Sequence, residues 1–216
     1  MVRLTTGLLL EAYRFGFFPM AEDRSSPDVV WVKPKLRGVL PLNGFHLSRS
    51  MRKTLRKTSF EVRCDSRFPD VIAACAEAAR GREETWLNAE IERSYTELFR
   101  DGFAHSVETY DGDELVGGLY GVSLRGAFFG ESMFSRRTDA SKIALCHLVG
   151  RLIAGGYALL DTQFITNHLK TFGAEEWPER RYQRALAEAM EREGDFRALP
   201  DQMSGSSIVQ LITQTS

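Results

Sequence analysis

The 216-residue sequence has few of the residues and runs that mark secreted, metal-binding or membrane proteins. Its three cysteines (Cys64, Cys75 and Cys146) are odd in number and lack paired metal-ligand spacing, which argues against a disulfide framework or a zinc site. Its four histidines show no spacing typical of a metal centre or a catalytic triad. No apolar run approaches the roughly 20 residues of a membrane-spanning helix. The amphipathic start, with Glu11 and Arg14, does not resemble a signal peptide. We therefore expect a protein of the reducing cytoplasm that has no membrane partner.

Acidic residues are absent from one long segment, although the net charge of the whole chain is only −1. Residues 29–60 contain no Asp or Glu, and Ser48 in this segment is a suitable N-cap for a helix. After Ser48, five cations recur at the spacing of one helix face: Arg49, Arg52, Lys53, Arg56 and Lys57. A charged face is often merely solvated. A stripe of one sign in a slightly acidic protein favours instead a polyanion such as an RNA backbone.

The secondary structure in the middle of the chain is predicted most clearly, from alternating apolar and polar residues and from turn residues. We expect three antiparallel strands over residues 104–110, 114–124 and 127–134, with an Asp-Gly turn between the first two. A helix is expected over residues 139–154, ending at a Gly-Gly pair, and a further strand over residues 157–165. Shorter strands are expected over residues 29–32 and 39–42, and a later helix from about residue 178.

A meander, a helix, one more strand and another helix follow the order of acetyltransferase-like (GNAT) domains. The fold class predicted from this order is α+β. We expect a small basic N-terminal α+β domain over residues 1–58. An acetyltransferase-like domain, with a central mixed sheet flanked by helices, is expected over residues 59–216.

A carboxylate lies in the middle of the third strand of the meander, within the run GAFFGESMF. Burying an unpaired carboxylate costs several kcal/mol, so Glu131 requires either a partner or a function. Simple alternation places Glu131 on one face with Phe129 and Met133. An ion pair with Arg136 or Arg137 is one explanation that needs no function.

The later strand offers two more polar groups, Asp161 and Gln163, from an otherwise apolar face. In the predicted fold this strand lies beside the strand of Glu131. Polar groups that converge in an apolar cleft are typical of a binding or catalytic site. The structural alternative is that Asp161 caps a neighbouring loop.

The connector SRRTDASK lacks the glycines that hold the pyrophosphate of an acyl-CoA at a helix N-terminus. Arg136 in this connector is a candidate contact for a single phosphate, and a solvated cap is the alternative. The connector is therefore a poor fit for coenzyme A.

A series of ordered blocks in the sequence resembles one protein family. The blocks include AYRFGFFPM, VVWVKP, FHLSRSMRKTLRK, TWLNAEI, ELVGGLYGVSL, FFGESMFSRRTDASKIALCHLV and LLDTQF. They are similar to those of the bacterial leucyl/phenylalanyl-tRNA–protein transferases, and the similarity runs from about residue 6 to residue 183. The resemblance implies that leucine or phenylalanine, and less well methionine, is transferred from aminoacyl-tRNA to the α-amino group of proteins that begin with Arg or Lys. The acceptor is thereby marked for N-degron proteolysis, and no cofactor or metal is required.

The resemblance also implies which residues form the site. Its motifs make Glu131, Asp161 and Gln163 the polar groups. From the chemistry of these residue types, we expect Gln163 to orient the attacking amine and relay its proton, and Asp161 to hold the amide of Gln163. The substrate-binding residues expected around them are Phe128, Trp86 and Trp31, with Leu119 and Leu160 as apolar candidates. Glu131 is expected to meet an ammonium, either that of the donor amino acid or that of the acceptor side chain.

Two rival functions remain open from the sequence. The first is an acyl-CoA-dependent N-acetyltransferase of the same fold. The absence of glycine from the connector SRRTDASK argues against it. The second is a non-catalytic tRNA-binding or degradation-adaptor protein. For the transferase we expect a monomer.

Overall fold

A computed structural model describes residues 3–77 and 85–214. The α-helices of this part of the chain are α1 (Thr6–Arg14), α2 (Arg49–Lys57), α3 (Phe68–Ala76), α4 (Ala89–Arg100), α5 (Ala140–Ala154), α6 (Asn167–Lys170), α7 (Glu179–Met190) and α8 (Gly205–Gln214). The β-strands are β1 (Phe18–Met20), β2 (Val30–Val32), β3 (Leu36–Val39), β4 (Glu61–Cys64), β5 (Ala104–Asp111), β6 (Glu114–Leu124), β7 (Ala127–Ser135), β8 (Leu159–Gln163) and β9 (Glu175–Pro178). None of the helices described combines the length and apolar character of a membrane span.

Seven of the described strands form one mixed sheet in the order β4-β5-β6-β7-β8-β3-β9. All neighbouring pairs are antiparallel except β7 and β8, which run parallel. The predicted α+β class and the β5-β6-β7 meander are confirmed. The parallel pair requires a crossover, which α5 supplies between β7 and β8.

The N-terminal segment contributes a strand to this large sheet. β3 lies between β8 and β9, while β1 and β2 form a separate two-stranded sheet. The strand expected over residues 39–42 lies three residues earlier, because Pro41 begins a 3₁₀ turn over Leu42–Gly44. A domain boundary at residue 58 stays a prediction.

Apolar clusters cover both faces of the sheet. The first cluster packs α1, α3, α4 and α7 against one face, around residues such as Tyr13, Tyr95 and Phe129. The second packs α2, α5 and α8 against the other face, around residues such as Phe128 and Leu148. All three cysteines are buried in these clusters.

Three elements were not predicted from the sequence. β1 contains Pro19, which in a sequence usually indicates the end of a regular element. β9 has the sequence EEWP, and α8 begins with Gly-Ser-Ser. Each is short or begins with residues that are poor formers of the structure they adopt. Neighbouring strands or helices stabilise them instead.

Candidate active site

Glu131 owes its position to a β-bulge in β7. On β6, Tyr120 pairs with Ser132 and Gly121 pairs with Gly130, so Glu131 is an extra residue without a partner in the ladder. A bulge re-aims side chains and shifts the alternation beyond it. Phe129 and Glu131 accordingly lie on the side of the first cluster, whereas Met133 packs with the second. The expectation that Glu131 shares a face with both Phe129 and Met133 is correct for Phe129 and wrong for Met133.

The Glu131 carboxyl is buried and binds hydrogen-bond donors rather than a cation. The Tyr13 hydroxyl donates to Oε1 over 2.7 Å, the Tyr95 hydroxyl to Oε2 over 3.0 Å, and Nε2 of Gln163 to Oε2 over 2.8 Å. Arg136 and Arg137 pair instead with Glu77 and with Glu114. The suggested ion pair of Glu131 with either arginine is therefore wrong.

The environment of Glu131 favours its protonated form. Burial raises the pKa of Glu131 to about 7, and the hydrogen bonds from Tyr13, Gln163 and Tyr95 only partly oppose this rise. The two tyrosine hydroxyls also contact each other, so three hydrogen bonds join Tyr13, Tyr95 and Glu131. The two hydroxyls supply only two of the three protons that these bonds need. A proton on Glu131 completes the triangle, which makes Glu131 a carboxyl that changes charge near neutral pH.

Gln163 adopts a conformation that residues other than glycine rarely adopt. Its φ is +61°, in the left-handed region, at the last residue of β8. The opposite residue on β3 is Gly38, and a Cβ there would lie 2.7 Å from the carbonyl carbon of Phe164. Glycine at position 38 lets the chain turn over β3, and this turn aims the Gln163 amide at Glu131.

Asp161 is paired with a cation that the sequence alone did not assign to it. Arg37 donates from Nε to both carboxylate oxygens, over 2.9 and 3.0 Å, and from Nη2 over 2.7 Å. The guanidinium lies between the rings of Phe18 and Tyr182, and the Tyr182 hydroxyl also donates to Asp161 over 2.7 Å. Burial lowers the pKa of Arg37, but Asp161 more than compensates, so that the pKa is raised overall. Asp161 thus has a full set of partners within the protein.

The expected contact between Asp161 and the side-chain amide of Gln163 is not made. Asp161 Oδ1 accepts instead from the backbone N–H of Gln163 over 2.7 Å, while the side-chain amide donates to Glu131. Because the carboxylate of Asp161 is turned toward Arg37, it stabilises the turn at Gln163 rather than the end of its side chain.

An apolar pocket of about 310 Å³ opens where β7 and β8 diverge. These strands pair only from Ala127 to Phe129 of β7, so the sheet is split beyond that point. The apolar lining comes mainly from Met20, Trp86, Leu119, Met133, Leu145, Leu148, Leu160 and Leu169. Glu131 and Gln163 lie in its wall. The structure thus brings five predicted site residues together at one pocket: Glu131, Gln163, Trp86, Leu119 and Leu160.

Two hydroxyl groups in the pocket wall have no partner within the described residues. These are the Tyr120 hydroxyl and Oγ1 of Thr162, both shielded from solvent. Buried polar groups are nearly always hydrogen-bonded, so these two hydroxyls are available to a group bound in the pocket.

Three other predicted residues lie apart from the pocket lining. Phe128 is fully buried on the opposite face, where its ring stacks on Phe196 at a centroid distance of 5.8 Å. Trp31 is on β2, 37% exposed, and faces away from Met20. Arg136 binds both oxygens of Glu77 over 2.9 Å. Their assigned roles stay predictions.

The predicted basic helix is confirmed as α2, with Ser48 as its N-cap over 3.1 Å to the Met51 N–H. Met51 and Leu55 face inward. The five predicted cations, Arg49, Arg52, Lys53, Arg56 and Lys57, line a groove of about 380 Å³. Across residues 3–77 and 85–214, no carboxylate lies within 4.0 Å of any of them, so their charge is unneutralised.

Sequence analysis missed three residues that build the site: Tyr13, Tyr95 and Arg37. The spacing of Tyr95 in the sequence is that of an apolar helix face and does not identify a carboxyl partner. Arg37 stands among surface cations in the sequence, and its alternation with Val39 was the available sign that it is buried. A cation in phase with buried apolar residues indicates a buried acidic partner.

A split mixed sheet with an apolar pocket and convergent polar groups at the split is the arrangement of an enzyme active site. Residues 3–35 match the family model for the leucyl/phenylalanyl-tRNA protein transferase N-terminal domain, and residues 39–187 match the model for leucyl/phenylalanyl-tRNA protein transferase. The chain belongs to this family.

Curated relatives support the same membership over nearly the whole chain. The leucyl/phenylalanyl-tRNA–protein transferase of Ruegeria sp. (strain TM1040) is 56% identical over 215 residues, covering 99% of each protein. That of Maricaulis maris (strain MCS10) is 55% identical over 208 residues, covering 96% of each. That of Paramagnetospirillum magneticum (strain ATCC 700264 / AMB-1) is 57% identical over 187 residues, covering 87% of this chain and 90% of its relative.

Proposed function

We propose that this protein transfers leucine or phenylalanine, and less efficiently methionine, from aminoacyl-tRNA to the N-terminal α-amino group of proteins that begin with Arg or Lys. The acceptor nitrogen attacks the ester carbonyl, the bond to the ribose oxygen breaks, and the tRNA leaves with the proton lost by the amine. We place this reaction in the cytoplasm, in a monomeric enzyme, and the modified proteins become substrates for proteolysis.

The observation that carries the proposal is the hydrogen bond from Gln163 to Glu131 at the wall of the apolar pocket. It engages the NH₂ group of the amide, which leaves the carbonyl oxygen of Gln163 to accept a hydrogen bond from the attacking amine. The acceptor amine has an ordinary pKa near 8, so a neutral group suffices to orient it and pass on its proton. Orientation of this kind supplies much of the rate enhancement in acyl transfer.

Asp161 acts through the backbone in this scheme. It holds the N–H of Gln163 over 2.7 Å and is itself fixed by Arg37, which keeps the left-handed turn in place. We therefore assign Asp161 to positioning rather than to contact with substrate.

Glu131 suits the ammonium of the donor amino acid. It lies at the pocket that would receive the leucine or phenylalanine side chain, whose α-amino group would then come close to the carboxyl. A cation at this site would favour the ionised form of Glu131 and replace the interaction that its proton provides.

The deciding experiment is transfer of labelled phenylalanine or leucine from charged tRNA to a peptide that begins with Arg. A peptide differing only in an N-terminal Asp is the matched control. Labelled product with the Arg peptide alone supports the proposal. Binding of charged tRNA without acceptor-dependent transfer contradicts it and would leave a binding protein.

The cationic face of α2 is the proposed contact for the tRNA backbone. Arg52→Glu combined with Arg56→Glu should weaken tRNA binding and lower the slope of log K against log salt by about 2, because two phosphate contacts are lost. Arg180→Glu with Arg184→Glu is the matched control, since both residues are exposed on α7 at the same spacing. Equal salt slopes for the two double variants, measured by filter binding, would place the RNA elsewhere.

The acyl-CoA alternative gains no support from the N-terminus of α5. Asp139 takes the N-cap position there, and its carboxylate binds Lys142 over 2.7 Å. A carboxylate at this position would repel a pyrophosphate.

A further inference from the structure

A second cavity, of about 430 Å³, lies on the opposite side of α5 from the apolar pocket. Leu145 and Leu148 of α5 line the pocket, whereas His147 of the same helix lines the cavity. The cavity walls are otherwise supplied by the end of α2, the start of β4 and the first turn of α8.

His147 is the least explained residue of this cavity. It is 7% exposed and lines the cavity, and its ring has no hydrogen bond to another described side chain. The structure places this largely buried ring at the wall of an open cavity, where a ligand can reach it.

The surrounding groups favour an anionic ligand. The N–H groups of Gly205 and Ser206 belong to the first turn of the ten-residue helix α8 and have no acceptor within the described residues. Hydroxyl groups of Ser59, Ser204 and Ser206 and the guanidinium of Arg56 also line the cavity. One acidic side chain, Glu61, lies at the wall, where Arg63 and Gln202 already bind its carboxylate.

The cavity is continuous with the cationic face of α2. Arg56 lines both the groove of five cations and this cavity, so a polyanion bound along α2 reaches it directly. The apolar part of its lining comes from Leu55, Phe60, Val62 and Met203, which provide a surface for a nucleobase.

We propose that this cavity binds one unpaired nucleotide of the donor tRNA. Its phosphate lies at Arg56 and the first turn of α8, its base lies against Phe60 and Met203, and His147 hydrogen-bonds to the polar edge of the base. The inference rests on the proposed function, because aminoacyl-tRNA is the RNA concerned. The site lies across α5 from the aminoacyl pocket.

A charge placed at the mouth of the cavity tests the proposal without weakening the fold. Ser206 is exposed at the N-terminus of α8, where an acidic residue complements the helix dipole. Ser206→Glu should therefore fold at least as well as the wild type. It should also weaken tRNA binding about tenfold, the value of one charge-assisted hydrogen bond, and lower the salt slope by about 1. Gln210→Glu, an exposed position on the same helix, makes the same change in net charge and should bind tRNA like the wild type.

His147→Phe supplies an independent second test, since it keeps a ring in the core while removing the hydrogen-bonding nitrogens. It should weaken tRNA binding several-fold with an unfolding temperature close to that of the wild type. Identical tRNA binding by wild type, Ser206→Glu and Gln210→Glu would overturn the proposal. Tight binding of inorganic phosphate in the cavity, together with tRNA binding that His147→Phe leaves unchanged, would overturn the RNA assignment. Failure of the proposed function would appear separately, as absent transfer in the wild type.

Discussion

Two buried carboxyls, about one strand apart in the sheet, are treated by the fold in opposite ways. Asp161 is fully buried and receives a bidentate arginine, a tyrosine and a backbone N–H. Glu131 is 8% exposed and receives two tyrosines and a glutamine amide, with no cation. The first arrangement fixes a negative charge. The second leaves the charge dependent on pH and ligand.

The difference shows how burial alone fails to define a catalytic group. Both carboxyls are removed from water, but only Glu131 lines the pocket. Asp161 has no capacity left for substrate, because its partners come from β3, α7 and the turn at Gln163. A site residue is distinguished here by an incomplete set of partners, and a supporting residue by a complete one.

Asp161→Asn should give the largest effect on stability. It leaves the guanidinium of Arg37 buried without its counter-charge, which typically costs about 3 to 5 kcal/mol. We expect the unfolding temperature to fall by on the order of 10 °C. Calorimetry of this variant and of the double variant Arg37→Met/Asp161→Asn checks it, since removing both charges should be less harmful than removing one. A single variant as stable as the wild type would refute the structural role of the pair.

Glu131→Gln should leave the fold intact while lowering transfer about 100-fold, because the ionisable group at the donor site is lost. The folded pKa of Glu131, about 7, is raised above the ordinary value of 4.5. The folded state therefore holds its proton more tightly between these values. Wild-type stability should fall as pH rises from about 4.5 to 7, by on the order of 3 kcal/mol, and level off above.

The Glu131→Gln variant should not show this fall in stability between pH 4.5 and 7. Urea unfolding of both proteins at pH 5, 6, 7 and 8 isolates the contribution of Glu131, because all other titrating groups cancel in the difference. Parallel stability curves would show that the pKa of Glu131 is ordinary.

Gln163→Gly and Gln163→Ala should differ by the smallest amount, about 1 kcal/mol in favour of glycine. Both remove the amide and should lower transfer, but only glycine adopts the left-handed turn without strain. Chemical denaturation of the pair measures the backbone cost separately from the lost side chain. An alanine variant of equal or greater stability would argue against the left-handed turn.

The sequence predicted the meander, the crossover helix and the basic helix because each has a local cause. Alternation, an Asp-Gly turn, a Gly-Gly stop and the cap at Ser48 act within a few residues. The proximity of Glu131 to Gln163 followed from strand order. The bulge at Glu131 and the left-handed turn at Gln163 could not be predicted, because neighbouring strands impose both.

Tertiary structure also decides which cations of a basic segment are buried and which stay at the surface. Arg37 and Arg52 belong to the same basic segment, yet Arg37 neutralises Asp161 in the core while Arg52 lines the surface groove of α2. Composition cannot separate the two. The edge strand β9 escaped prediction for a similar reason, since its pairing with β3 replaces any preference of its own sequence.

The bulge in β7 gives the site a carboxyl that the fold itself does not need. Since Gly130 and Ser132 already pair with consecutive residues of β6, removing position 131 would close the ladder and leave Met133 and Phe134 on the faces they now occupy. The residue that changes charge at the pocket is therefore an insertion into a strand that is complete without it. Chemistry and architecture occupy separate positions in β7, and the former can change in evolution without rebuilding the latter.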